Sequence, residues 1–336
     1  MKKRILIIAE AGVNHNGSLD LACKLVDKAW EAGADVVKFQ TAKVENLVSV
    51  HAEKAEYQKI FTGTGESQLE MLKKLLLSYE DFVLLKKYCD RKGIQFLSTP
   101  FDLDSIHFLE KLGCSFWKVP SGEITNYPYL LEIAGTGKPV IMSTGMASMK
   151  EVEEAVALLR HGGCSDLKLL HCTTEYPAPY KDVNLKAMLV LKERFGVEVG
   201  YSDHTPGIEI PVAAAALGAC VIEKHFTLDK KLPGNDHYHA GEPEDFKKAI
   251  ANFKWIDMVL GSGEKTVLEC EWIPRREARR SLVLTRDMKA DEVIRKEDLM
   301  PKRPGTGISP VYTDIVVGRK VVKDLEEDTI LTWDMV

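Results

Sequence analysis

ILIIAEAGVNHNGSLDLACKLVDKAWEAGADVVKF, residues 5–39, holds one full period of the pattern that decides the fold. It opens on a short apolar run, Ile5-Leu6-Ile7-Ile8-Ala9, which reads as a strand. From Leu19 to Ala32 the residues Leu21, Ala22, Leu25, Val26 and Ala29 fall on one face at helical spacing, and Gly33 supplies the stop. A second strand, Asp35 to Phe39, begins almost at once.

The same alternation continues along the chain. Ile94 to Leu97, Phe116 to Val119, Pro139 to Met142, Leu167 to Leu170, Val197 to Tyr201 and Cys220 to Glu223 read as further strands, eight in all. Between most of them lie amphipathic segments such as Ser105 to Leu112, Met149 to Leu159, Leu185 to Phe195 and Pro211 to Leu217, and Glu244 to Leu260 follows the eighth. Eight strand-helix units over about 250 residues predict an α/β fold of the (β/α)8 barrel type, with a doubly wound open sheet as the rival. One unit is irregular: Thr41 to Tyr79 makes a long excursion with a glycine-rich patch at Gly63-Thr64-Gly65, which reads either as a surface insertion or as a flap over the strand ends.

After Leu260 the texture changes. Gly261-Ser262-Gly263 leads into a charged stretch ending at Arg279-Arg280, then into short β-like pieces. This divides the chain into a barrel over 1–262, a linker over 263–278 and a small β-rich domain over 279–336. Within the last, Asp287-Met288 followed by Val293-Ile294 recurs as Asp324-Leu325 followed by Ile330-Leu331, an internal repeat that predicts pseudo-symmetry.

Composition narrows the function classes. A net charge of -5 over 336 residues offers no general attraction to nucleic acid or anionic lipid. The apolar run after Arg4 is stopped by Glu10, too early for a secretory signal, and the stretch from Pro211 to Ile222 falls far short of the ~20 residues of a membrane span. Seven cysteines, an odd number without any Cys-x-x-Cys pair, fit free thiols in a reducing, cytoplasmic setting.

In barrels of this type chemistry sits where the strands end, and here those ends are polar. They carry Glu10, Lys38 with Gln40, Ser98-Thr99, Lys118 with Ser121 and Glu123, Ser143-Thr144, His171 with Thr174 and Tyr176, Ser202-Asp203-His204 and Glu223-Lys224-His225. Lys38 and Lys118, with the hydroxyls Thr99, Ser121, Ser143 and Ser202 on the same rim, make a cradle for a phosphorylated or carboxylated ligand. The alternative for either lysine is a solvated rim charge or a barrel ion pair. His204 and His225 end neighbouring strands, so two imidazoles can meet on one divalent ion and leave positions open for Lewis-acid work; two hydrogen-bonded barrel histidines are the other reading. His237 and His239, in the loop from Gly234, suit substrate or rim contacts better.

Several ordered strings resemble the sialic acid synthase family. They are IIAEAGVNHNG (7–17), VKFQT (37–41), LSTPF (97–101), KVPSGE (118–123), STGM (143–146), HCTTEYP (171–177), GYSDHT (200–205) and EKHFT (223–227). KRPGTGI (302–308) is similar to the antifreeze-like, or SAF, domain these synthases carry. The resemblance implies a transferase that condenses phosphoenolpyruvate with an N-acylated aldohexose to a nine-carbon 2-keto-3-deoxy acid and phosphate. It also implies a divalent metal, usually manganese, with magnesium or cobalt as substitutes.

Carried over motif by motif, Lys38, Thr99, Lys118, Ser121, Ser143 and Ser202 would hold phosphoenolpyruvate. Thr174, where many members have Asn, would lie beside them. His204 and His225 would bind the metal, while Glu10, Gln40, Tyr176 and Asp236 would face the sugar and Arg303 would reach it from the small domain. Glu123 is the first candidate for handling protons and Glu10 the second. The family forms dimers in which each SAF domain caps the partner's site, so a domain-swapped homodimer is expected.

Family branches differ in acceptor: N-acetylmannosamine, its 2,4-diacetamido-2,4,6-trideoxy analogue for legionaminate, or an altrose isomer for pseudaminate. TEYPAP (174–179) and GYSDH (200–204) are closer to the legionaminate and spore-coat types, whereas the sugar loop carries an extra Asn235. Two rivals remain. One is a barrel that keeps the anion pocket without turnover; the other is a related 3-deoxy-aldulosonate phosphate synthase, which needs a further basic cluster not seen in the sequence.

Overall fold

The computed structural model describes residues 5–49, 51–52, 67–234 and 236–336. These divide into two compact units, Met1–Gly261 and Ser262–Val336. The glycine-rich patch at residues 63–65 and the extra Asn235 lie outside the described residues.

The first unit is a near-closed eight-stranded parallel barrel. Its strands are β1 (Leu6–Gly12), β2 (Val36–Thr41), β3 (Gln95–Pro100), β4 (Trp117–Val119), β5 (Val140–Ser143), β6 (Leu167–Cys172), β7 (Glu198–Asp203) and β8 (Val221–His225). They are ordered β3-β2-β1-β8-β7-β6-β5-β4, and β3 packs beside β4 to bring the two ends of the sheet together. The doubly wound alternative is thereby set aside. The helix over Leu19–Ala32 has the bounds its spacing predicts because both ends are capped. Ser18 accepts from the Leu21 amide, and Gly33 turns the chain at φ 89°, a conformation that costs glycine no Cβ clash.

Every strand presents two faces. Toward the helices point Ala9, Val37, Phe39, Phe96, Trp117, Met142, Leu169, Tyr201 and Ile222, which join the helical apolar stripes in the main core. Inward point Ile8, Val36, Leu97, Ile141, Leu170 and Val221, which form a separate apolar layer. One step further along each strand the inward positions become Glu10, Lys38, Thr99, Lys118, Ser143, Cys172, Ser202 and Glu223. The barrel interior is therefore apolar below and charged above.

Most strands run two or three residues beyond the apolar runs that announce them. β1 continues to Gly12 rather than Ala9, and β7 to Asp203 rather than Tyr201. Ladder hydrogen bonds hold polar residues in register as well as apolar ones, so the polar positions are strand residues rather than loop residues.

The second unit has its own core of Leu282, Leu284, Met288, Ile294, Ile308, Val316, Val321, Leu325 and Leu331. β9 (Ser281–Leu284) and β10 (Leu299–Lys302) pair antiparallel, and an isolated bridge joins Met288 to Leu325. The residues that repeat in sequence are thus paired in space. Part of the stretch expected as linker is helical, over Trp272–Ala278.

Gly200 occupies an inward position between Leu170 and Val221. A Cβ there would lie 2.3 Å from the Val221 carbonyl oxygen and 2.7 Å from Leu170 Cδ2. Gly200→Ala is expected to destabilise the barrel by about 1–3 kcal/mol, read as a lower urea midpoint. An unchanged midpoint would mean that the layer has room to spare.

Candidate active site

The upper inward layer surrounds a cavity of about 270 Å³, whose lining includes Glu10, Lys38, Gln40, Thr99, Lys118, Ser121, Ser143, Thr174, Tyr176, Ser202, His204, Glu223, His225 and Asp236. Thirteen of the fifteen residues that the sequence singles out are therefore brought together.

Two buried ammonium groups organise one side. Lys38 Nζ lies 2.9 Å from Glu10 Oε2 and 3.6 Å from Glu223 Oε2, and it donates to Thr99 Oγ1 at 3.2 Å. Lys118 Nζ donates to Ser143 Oγ at 2.8 Å and lies 3.5 Å from Glu223 Oε1, which also accepts from Ser202 Oγ at 3.1 Å. Burial alone lowers a lysine pKa; at Lys38 the carboxylates of Glu10 and Glu223 more than offset this and raise it, whereas at Lys118 burial prevails and lowers it. Burial pushes Glu10 up to about 7 against the pull of Lys38. Glu223, buried too, is brought below its usual value by the two lysines.

Hydroxyls complete this side. Ser121 Oγ accepts from the Gly145 amide at 2.9 Å, and Thr174 Oγ1 is buried without a hydrogen-bond partner. These groups, with two ammonium ions, can surround the oxygens of a small polyanion.

The other side is aromatic and imidazole-rich. The rings of His204 and His225 lie 5.4 Å apart, with Tyr176 4.2 Å from His204. His204 Nδ1 lies 2.8 Å from the Thr173 carbonyl oxygen and donates there, so that in the neutral ring Nε2 keeps its lone pair; burial lowers the pKa of this histidine, but Cys172 and the Thr173 carbonyl more than offset that and raise it. Burial and the neighbouring His239 and His204 hold His225 well below the usual histidine value, hence neutral. Its Nδ1 is buried without a hydrogen bond, 3.7 Å from Asp236 Oδ2, and burial raises Asp236 to about 6.

A neutral imidazole with an unused buried nitrogen beside a second one fits a divalent ion. Among the described residues no group of three or more His, Cys, Asp or Glu side chains gathers as a metal site, so the pair stands as a two-histidine set with positions left over.

One expected site residue of the barrel unit is not brought in. Glu123 sits in the turn Ser121–Glu123, outside the cavity lining, where its Oε2 accepts from Asn126 Nδ2 at 2.7 Å. Arg303 is an exposed residue of the second unit. Conversely, Glu223 touches both lysines, although sequence reasoning gave it no role beyond its place at a strand end. Its separation by two residues from both Val221 and His225 was the available signal, since that parity puts all three on the inner face.

Fold and site together define a (β/α)8 barrel of the enzyme type, with two buried lysines and a ring of hydroxyls facing a histidine pair across one cavity. The chain belongs to the NeuB family, the sialic acid synthases, which matches over residues 25–265, and a SAF domain matches over 279–336. It is 48% identical to an N,N'-diacetyllegionaminic acid synthase of Campylobacter jejuni, over 98% of this chain and 99% of that one. It is 50% identical to one of Legionella pneumophila, over 98% and 93%. The crystal structure of an N-acetylneuraminic acid synthetase from Leptospira borgpetersenii in complex with citrate matches with a TM-score of 0.72 at 34% identity, over 81% of this chain and 90% of that one. The chain is accordingly an enzyme that makes a sialic-acid-like nonulosonate.

A Cβ on Gly145 would fall 2.1 Å from Thr174 Oγ1 and 2.8 Å from Ser121 Oγ. Gly145→Ala is expected to displace these two hydroxyls and lower kcat/KM roughly 100-fold with a thermal midpoint close to the parent's. Full turnover in this variant would remove both hydroxyls from the site.

Proposed function

We propose that the chain condenses phosphoenolpyruvate with an N-acylated mannosamine-type aldose and water, giving a nonulosonate and inorganic phosphate. The observation that carries this reading is the presence, in one cavity, of the Lys38–Lys118 cradle and the His204–His225 pair. The first suits the phosphate and carboxylate of the enol ester, the second the aldehyde end of an open-chain sugar.

His204 and His225 would hold a divalent ion, manganese being the first choice. When bound, such an ion draws electron density from an aldehyde oxygen and makes its carbon electrophilic. Lys38 and Lys118, with Thr99, Ser121, Ser143, Thr174 and Ser202, would fix phosphoenolpyruvate so that its C3 faces that carbon. C3 then attacks, a C–C bond forms and positive character appears at C2. Water adds at C2, and cleavage of the C2–O bond releases phosphate and leaves the keto acid.

The water's protons need a nearby base. Glu10, in the cavity and held at about 7, replaces Glu123 as the group best suited to carry one. Gln40, whose Nε2 donates to Glu10 Oε1 at 3.1 Å, with Tyr176 and Asp236, would face the acceptor. The identities to the two legionaminic acid synthases support 2,4-diacetamido-2,4,6-trideoxymannose over N-acetylmannosamine as that acceptor. Capping of the site by Arg303 from a swapped SAF domain, and hence a homodimer, is part of the same reading.

No helix among the described residues is long and apolar enough to cross a membrane, and all seven cysteines are free. Free thiols are what a reducing compartment maintains, and a cytoplasmic location is part of the proposal.

Phosphate release in the presence of phosphoenolpyruvate, manganese and a panel of amino sugars tests the reading. Release is expected only with mannosamine-type acceptors and fastest with the trideoxy compound; no release with any acceptor overturns it. Chelation is expected to abolish release and added Mn2+ to restore it. Lys118→Met is expected to raise the KM for phosphoenolpyruvate roughly 10- to 100-fold, the worth of one charge-assisted contact.

A further inference from the structure

Asp203 and Lys224 face each other across β7 and β8, one residue before His204 and His225 respectively, and point to the opposite side from them. Both are buried, at 1% and 5% exposure, on the helix-facing side where Tyr201, Ile222 and Phe226 supply apolar packing. Lys224 Nζ donates to Asp203 Oδ2 at 2.5 Å and to the Thr205 carbonyl at 2.6 Å. Asp203 Oδ1 in turn accepts from the Thr205 amide at 3.1 Å and from its hydroxyl at 2.8 Å. One ammonium thus ties down the residues on both sides of His204 while its own backbone leads directly into His225.

We propose that Lys224, acting through Asp203 and Thr205, is a positioning residue that sets the separation of the His204 and His225 rings for a shared divalent cation. This rests on the reading of those two histidines as metal-holding. β7 pairs with β8 only as far as Asp203, so His204 lies past the last ladder position; its carbonyl accepts from the Ala178 amide at 2.9 Å and its ring bonds the Thr173 carbonyl, but neither bond ties it to β8 and His225. The buried ion pair supplies the missing restraint at that level.

The test uses the full chain without substrate. Free Mn2+ is followed by electron paramagnetic resonance during titration, beside thermal unfolding, for the parent, Lys224→Met and the double variant Asp203→Asn/Lys224→Met. The double variant avoids leaving a buried carboxylate without its partner. The Mn2+ dissociation constant is expected to rise roughly 10- to 100-fold in each folded variant. A constant within twofold of the parent's, even with a lowered midpoint, overturns the proposal and leaves the pair a purely structural one. Failure of both variants to fold overturns it too. A parent chain that takes up no Mn2+ removes the metal reading itself and this proposal with it, an outcome separate from the former two.

Discussion

Two ammonium groups and two carboxylates share one layer of the barrel interior, and the rest of the site depends on keeping them paired. Withdrawing an ion from water costs several kcal/mol even after a protein has relaxed around it, so four such groups at 2–6% exposure are tolerable only as close neighbours. Glu223 makes the arrangement work because it lies within 3.6 Å of both lysines, while Glu10 sits 2.9 Å from Lys38. A polyanion of the kind proposed would find the ammonium groups already dehydrated and aimed inward, and its oxygens would take over part of the compensation that the carboxylates provide.

Strand register carries this arrangement. Side chains alternate faces, so a slip of one residue in β2 would turn Lys38 and Gln40 toward the helices and bring Phe39 and Thr41 into the cavity. The apolar layer of Ile8, Val36, Leu97, Ile141, Leu170 and Val221 opposes such a slip because it requires the same parity one step below. Polar pairs on the outer face act in the same sense. Thr41 Oγ1 and Ser98 Oγ lie 2.6 Å apart between β2 and β3, at the level where the interior turns polar. The floor and the outer face thus hold the register that the charged layer needs.

How much of this was legible in the chain differs from residue to residue. Leu19 to Ala32 was read with its ends because apolar spacing and caps are local signals. The repeat of Met288 and Leu325 was legible for the same reason, since a repeated string needs no tertiary knowledge. Strand ends were read short because apolar runs stop where the polar layer starts, while the hydrogen-bonded ladder does not. The expectation that Glu123 handles protons, with no role for Glu223, has another cause. Both follow a strand's apolar run, but Glu123 comes after Pro120, where β4 has ended and a tight turn carries its side chain to Asn126. Glu223 remains in β8, and its inward direction depends on the strand continuing to His225.

The order of strands around the ring also sets the two sides of the cavity apart. Lys38 and Lys118 rise from β2 and β4, whereas His204 and His225 belong to the segment just past β7 and to the end of β8. β1, carrying Glu10, stands between β8 and β2, and Glu223 precedes His225 on β8 by two residues. The carboxylates therefore occupy the seam between the cationic side and the imidazole side. A proton released where new bonds form would arise at that seam, beside Glu10, whose burial already brings its affinity for a proton near neutrality. On the proposed reaction, charge compensation and proton handling would thus fall to the same side chain, because both would be required at the one place where the two halves of the cavity meet.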